Sequence, residues 1–378
     1  MKLSKFKSGK KIKQDNYYCF VPTLINQEWE IDSMEVTKIL SVAERELAKL
    51  NAYSKLIPNV DLYIKMYATL EAGKSNEIEG TRTSIKENLI SEENISPEKK
   101  EDWREVQNYI IAMNYGVEKI AKNELPLCNR LIKEIHKLLL KGVRGKNKTP
   151  GEFKKTQNWI GGKDISNAVF IPPHSGIVDE LMSDFEKFIN NNKLYVPDLI
   201  KAAIIHYQFE TIHPFLDGNG RTGRLIIPIY LQSKGLLDKS CLYISAYFEK
   251  NKDSYYALLS NVRAENHMKE WIIFFLKGII DTSMTASEKF MKVVELREKT
   301  DDKLKKIKGN IINFDKIMYY FYRETYLSMK QLKEYTGINE RTLRRLINEL
   351  IENNIIKETE YNKKRLFYFK DYIQIFTK

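Results

Sequence analysis

Cysteine is scarce. The three in 378 residues, Cys19, Cys128 and Cys241, lie far apart, are odd in number and lack Cys-x-x-Cys spacing. Neither a disulfide framework nor a cysteine zinc site is expected, and a reducing cytoplasm is the expected location. Long apolar runs are missing too. No window approaches the roughly 18 apolar residues of a membrane helix, so no membrane partner is expected. The basic start, Met1 to Lys7, is followed by no apolar stretch, and no signal peptide is expected. Strand signals are few, and there is neither an internal repeat nor a low-complexity tract.

What is present is helical and basic. Apolar residues fall at a period of 3.6 over 31–51, 61–73, 96–121, 129–141, 178–191, 198–212, 253–264 and 269–292. Pro197-Asp198 is a helix start. One strand pair is predicted, Thr156 to Ile160 with Ala168 to Ile171, around a loop that begins Gly161-Gly162. The net charge is +12, and residues 301–378 hold 17 Lys and Arg against 11 Asp and Glu. Half the excess thus sits in a fifth of the chain, which permits nucleic-acid contact without establishing it. That last part reads as helix, turn at Thr336-Gly337, a helix with Arg341, Arg344 and Arg345, then a hairpin. This is the outline of a winged helix-turn-helix.

The most informative stretch runs from His213 to Arg224, His-Pro-Phe-Leu-Asp-Gly-Asn-Gly-Arg-Thr-Gly-Arg. Pro214 pushes His213 out of the α region, so the preceding helix should end there with the imidazole facing the loop. A histidine near its ordinary pKa of about 6.5 can take a proton from a hydroxyl. Asp217 offers hard oxygens suited to Mg²⁺. Gly218 and Gly220 let backbone N–H groups approach an anion at the start of the next helix. Asn219 offers an amide between them. Arg221 and Arg224, three apart, share a helical face and can grip phosphate oxygens. Taken singly, these are turn dipeptides and a helix cap. Together they point to transfer of a phosphate-linked group.

This run resembles the Fic motif, H-P-F-x-[D/E]-G-N-G-R-x-x-R, at every specified position. The resemblance spans roughly 31–276. It includes a flap hairpin around Asn158, Trp159, Ile160 and Gly161 with Ala168 to Pro173, and a later segment in which Tyr255 lines the adenine pocket. It implies a mainly α fold: an all-helical core with a short β-hairpin flap, followed here by the winged helix. It implies a protein adenylyltransferase that moves AMP from ATP to a Ser, Thr or Tyr hydroxyl. His213 would be the base, and Asp217 would hold Mg²⁺. Gly218, Asn219, Gly220, Arg221, Thr222, Gly223, Arg224 and Tyr255 would bind the nucleotide. The flap would hold the target, which could be another copy of the chain.

Ser75-Asn76-Glu77-Ile78-Glu79-Gly80 resembles the inhibitory motif [S/T]-x-x-x-E-[G/N], which implies that Glu79 pairs with Arg224 and blocks the γ-phosphate. The expected division is an N-terminal helical region with the inhibitory helix (1–120), the catalytic core (121–292), a linker (293–310) and the winged helix-turn-helix (311–378). Two other readings stay open. One is a DNA-binding regulator that works through the winged helix, which could equally contact protein. The other is a Fic enzyme acting mainly in AMP removal, or on another nucleotide. Gly220 argues against the kinase-like branch, which carries lysine there. His206 and Glu210 read as buried supporting groups, and His136 has no partner visible in sequence. A homodimer remains open.

Overall fold

The computed structural model describes residues 1–14, 16–56, 60–307 and 311–377. An antiparallel hairpin opens the chain, β1 (Gly9–Lys13) with β2 (Tyr18–Pro22), Gly9 opposite Pro22 and Lys13 opposite Tyr18. Helices follow: α1 (Met34–Leu56), α2 (Asp61–Ile78), α3 (Ile85–Leu89), α4 (Lys100–Ala121), α5 (Asn129–Leu139) and α6 (Val178–Asn190). Then come α7 (Asp198–Ile212), α8 (Asn219–Ser233), α9 (Ser245–Lys250), α10 (Lys252–Glu265) and the 39-residue α11 (Met268–Lys306). The fold is mainly helical, as expected, and no helix among the described residues is long and apolar enough to cross a membrane.

The antiparallel pair α7 and α8 sits at the centre, with α4, α5, α6 and α11 packed around it. Sequence explains the position. Leu199 through Ile212 are all buried, so α7 has no polar stripe to turn to solvent and must be enclosed. Pro197 begins it. His213 ends it in the left-handed region (φ 49, ψ 59), the residue before Pro214 being barred from helix. Gly218 (φ 75) then turns the chain into α8. These two stops fix the loop that carries the motif.

The chain continues as α12 (Ile311–Glu324), β3 (Tyr326–Leu327), α13 (Met329–Thr336), α14 (Glu340–Glu352), β4 (Lys357–Tyr361), β5 (Lys364–Tyr368) and α15 (Lys370–Thr377), with strand order β3-β5-β4. Ser328 caps α13 through a capping box with Gln331, and Gly337 (φ 64) supplies the turn before α14. This has the element order of a winged helix-turn-helix. Its wing is docked on the body. The Tyr361 hydroxyl donates to Glu87 at 3.2 Å, Asn362 Nδ2 to the Asn94 carbonyl at 2.6 Å, and Lys364 Nζ to the Glu93 carbonyl at 2.9 Å. On α14, Arg344 pairs with Glu340 at 2.8 Å and Arg345 with Glu349 at 2.6 Å.

Two expectations change with the structure. The charged segment, readable as a linker or as the exposed end of the long helix before it, is the latter through Lys306, as the last turns of α11, and residues 308–310 lie outside the described ones. The flap hairpin shrinks to a single bridge, Ile160 with Phe170. Gly161 and Gly162 both take positive φ, and Asp164 and Asn167 close a reciprocal cap just beyond. The pairing therefore stops after one residue pair.

Candidate active site

The loop between α7 and α8 is held by one side chain of the motif, Asn219, and by others outside it. Asn219 Oδ1 accepts from the Phe215 N–H and Nδ2 donates to the Phe215 carbonyl, both at 2.8 Å. Asn158 Nδ2 donates to the His213 carbonyl at 3.1 Å and the Phe215 carbonyl at 2.7 Å, while its Oδ1 accepts from Lys154 Nζ at 2.6 Å. Burial pushes the Lys154 ammonium down to about 7. His136 holds the far side. Its Nδ1 accepts from the Gly151 N–H at 2.8 Å, so the proton sits on Nε2, which donates to the Asp217 carbonyl at 2.8 Å. Its ring stacks on Phe215, centroids 3.7 Å apart. Burial lowers its pKa to about 4.

Among the described residues, His213 Nδ1 is buried with no hydrogen-bond partner of ordinary geometry, and the Glu210 backbone lies near the ring. Burial first, then the charges of Lys154 and Arg263, lower the pKa to about 3. The ring is therefore neutral at neutral pH. Asp217, a third exposed, takes the Gly218 N–H on Oδ1 at 2.6 Å and lies 3.6 Å from Arg221. Arg221 is buried beside Glu105 at 3.5 Å, with Nε and Nη1 lacking a hydrogen-bond partner among the described residues.

Arg224 is buried against the end of α2. Its Nε donates to Ser75 Oγ at 2.8 Å, and Nη2 donates to the Ser75 carbonyl at 2.9 Å and to Glu79 Oε1 at 2.7 Å. Burial works against charge on Glu79, but Arg224 outweighs it, aided by Arg221 and Lys252, and holds the carboxyl below its usual range. A Cβ on Gly220 would collide with Glu79 Oε1, so the carboxylate lies directly over the glycine turn.

Residues 37–118 match the Fic/DOC family N-terminal model, and residues 126–231 match the Fic/DOC family model. This is a Fic/DOC family protein. Among curated relatives, a protein adenylyltransferase Fic of Aedes aegypti is 31% identical over 169 residues, 44% of this chain and 30% of that protein. One of Drosophila grimshawi is 31% identical over 171 residues, 44% and 31% of the two chains. The chain therefore spans about 30% of the length of these relatives. A Fic family protein from Desulfovibrio desulfuricans G20 shares the fold, with a TM-score of 0.57 at 19% identity, covering 91% of this chain and 98% of that one. A Fic domain containing signaling protein from Bacteroides thetaiotaomicron VPI-5482 gives 0.51 at 18%, covering 67% and 96%.

In this Fic chain the motif's residues divide into those that face the loop and those that build it. Asn219 builds it, as does Asn158 from the flap: their amides are spent on backbone groups and do not point out as donors. Thr222 is buried with its hydroxyl on the Gly218 carbonyl at 2.8 Å. The Gly223 carbonyl accepts from His206 Nδ1 at 3.1 Å, and His206 Nε2 accepts from the Tyr255 hydroxyl at 2.9 Å. Tyr255, expected in the adenine pocket, is 1% exposed, whereas its neighbour Tyr256 is 42% exposed and feels Glu79 and Arg224. Tyr256 is thus the accessible ring. Trp159 on the flap is exposed, and Gly161 meets Val169. Glu210 is buried, pushed up to about 7 chiefly by that burial, with Oε1 unpartnered among the described residues.

Sequence reasoning missed His136, Lys154 and Glu105. His136 lies 81 residues before the carbonyl it holds, and no local spacing signals such a contact. Ser75 was visible as the first letter of the inhibitory motif, though its hydroxyl and carbonyl both grip Arg224.

Proposed function

We propose that this Fic protein is a self-inhibited protein adenylyltransferase, moving AMP from ATP to a Ser, Thr or Tyr hydroxyl of a protein. The observation that carries the reading is the pair Glu79–Arg224 at 2.7 Å, set over a glycine turn beside a neutral histidine. ATP would lie with its phosphates on the N–H groups around Gly218 and Gly220 at the start of α8. Arg221 and a freed Arg224 would bind the β- and γ-phosphates, and Tyr256 would meet the base. The target hydroxyl oxygen forms a bond to the α-phosphorus. The bond from that phosphorus to the bridging oxygen breaks, and pyrophosphate leaves with the electron pair. The hydroxyl proton passes to the imidazole of His213. A base with a pKa of about 3 is weak at rest, and the negative charge of bound phosphates would raise it.

Asp217 fits the Mg²⁺ that such chemistry uses. Its carboxylate is partly exposed at the loop, and Gly145 (φ +89) leaves room where a Cβ would come within 2.7 Å of Oδ2. Bound there, Mg²⁺ would neutralise phosphate charge. With Glu79 in place, the γ-phosphate cannot reach Arg224, and the carboxylate repels it. The docked wing and the paired arginines of α14 favour this reading over a DNA-binding regulator.

The test incubates wild type, Glu79→Gly and His213→Ala with Mg²⁺, cell lysate and ATP labelled at the α- or γ-phosphate. Label from the α position should appear on protein, severalfold more with Glu79→Gly and not with His213→Ala. Transfer of the γ label instead would make the enzyme a kinase, and equal transfer by wild type and Glu79→Gly would remove the inhibition.

A further inference from the structure

A groove of about 750 Å³ separates the β1–β2 hairpin from the flap. That is within the range of roughly 300–1,000 Å³ that a bound organic group fills. The hairpin is tied to the flap by the Phe20 N–H, which donates to the Ile171 carbonyl at 2.9 Å. It also lies outside both family-matched segments, 37–118 and 126–231.

The groove is cationic. Lys10, Lys11 and Arg263 line it, and among the described residues no carboxylate does. Lys10 and Lys11 are exposed and form no ion pair among the described residues. Surface lysines elsewhere on the protein repeatedly find a glutamate, as Lys49 does with Glu46 and Lys122 with Glu118. The rim is apolar, with Val169 78% and Tyr18 58% exposed. At the inner end the Arg263 guanidinium lies 4.0 Å from the centroid of the Phe170 ring. The same guanidinium donates to Thr211 Oγ1 and the Glu210 carbonyl, each at 3.2 Å. Arg263 thus touches both the groove and the last turn of α7, next to His213.

We infer that this groove docks the acceptor protein of the proposed transfer and selects an extended, acidic stretch carrying an apolar side chain near the modified hydroxyl. The inference rests on the adenylyltransferase reading. Unpaired cations call for carboxylates, and an aliphatic rim beside a flap that is itself extended suits another chain laid along it. Nucleic acid would find the cations but no use for the isolated Val169 side chain.

Fluorescence anisotropy tests the groove without nucleotide and so without the reaction. The probes are a labelled short peptide of alternating valine and glutamate around a threonine, its lysine counterpart, and a single-stranded oligothymidine. The glutamate peptide should bind wild type, weaken with added salt, and lose about tenfold in affinity, or about 1.4 kcal/mol, with Lys10→Glu/Lys11→Glu. The lysine peptide should not bind. Val169→Asp should weaken the glutamate peptide as well, and melting curves would show that these exposed changes leave the fold intact. Equal binding of both peptides, no binding by wild type, or an affinity indifferent to the charge reversal would overturn the inference. Tighter binding of the oligothymidine, lost in the double variant, would assign the groove to nucleic acid instead. Label transfer by Glu79→Gly reads the reaction separately, so failure of one result does not imply failure of the other.

Discussion

Arg224 is 1% exposed, and a buried guanidinium requires partners. Glu79 supplies the charge, with Ser75 accepting from Nε and from the other Nη2 hydrogen. Replacing Glu79 with glycine leaves a buried cation short of an anion, which is strongly destabilising when nothing substitutes. A triphosphate is a substitute. Glu79→Gly should therefore melt lower than wild type without nucleotide and gain more from ATP with Mg²⁺, because ligand binding to the folded state adds stability by mass action. Equal nucleotide-induced shifts in the two proteins, measured by thermal melting, would show that Glu79 does not occupy the phosphate's place. His136 allows a different test. Its folded pKa of about 4 lies below the ordinary 6.5, so the unfolded chain gains a proton first as pH falls. The stability His136 contributes is whole above about 6.5 and is lost towards 4. His136→Gln keeps a donor for the Asp217 carbonyl but cannot titrate. The wild-type advantage over it should shrink by about 2–3 kcal/mol between pH 6.5 and 4, and urea denaturation at the two pH values measures it. A constant difference would mean that His136 does not titrate there.

At the scale of elements, α2 delivers the inhibitory group as a rigid unit. Ser75 and Glu79 are one turn apart, so a single helical face presents both to Arg224. Ser75→Ala removes the acceptor for Arg224 Nε and strands a buried donor, at a cost of about 1–3 kcal/mol. With α2 held less firmly on Arg224, label transfer should rise above wild type but stay below Glu79→Gly. Transfer at the wild-type rate would assign the pairing to Glu79 alone. Most of these elements were legible. The 3.6-residue period and the stops at Pro197 and Pro214 locate the helices around the motif, and the positive φ of Gly218 is what a tight turn before a helix demands. The β1–β2 hairpin was not. Its first strand, Gly-Lys-Lys-Ile-Lys, is mostly exposed and shows no clear alternation, because the hairpin is fixed by its contact with the flap. The flap itself promised more ladder than its glycines allow. The letters of the motif and flap identified which residues gather but not which way Asn219 and Asn158 turn. Their hydrogen bonds to Phe215 depend on the final path of a loop that spacing does not encode.

At the scale of the whole molecule, the C-terminal module rests on α2, the helix that Glu79 caps. Tyr63 on α2 meets Tyr322 edge-on with centroids 5.6 Å apart and Tyr372 at 6.0 Å, and Tyr67 meets Phe376 at 5.1 Å. Lys65 pairs with Glu324 at 2.6 Å. Nothing in the sequence announced this contact, since aromatic residues on two remote helices read as separate core positions. It has a consequence for regulation. The buried face of α2 is shared between the Fic core and the module, so bracing of Glu79 on Arg224 by the module can be tested. Tyr322 is 6% exposed and lies far along the chain from every motif residue. Tyr322→Ala should cost about 3–5 kcal/mol of stability, as large-to-small aromatic changes in cores do. If the module braces α2, the same change should also raise label transfer with Glu79 and the motif intact. Tyr322→Phe, which keeps the ring, should leave transfer at the wild-type level. Loss of stability without a rise in transfer would confine the module to a structural role, whereas a rise restricted to Tyr322→Ala would make the winged helix part of the brake.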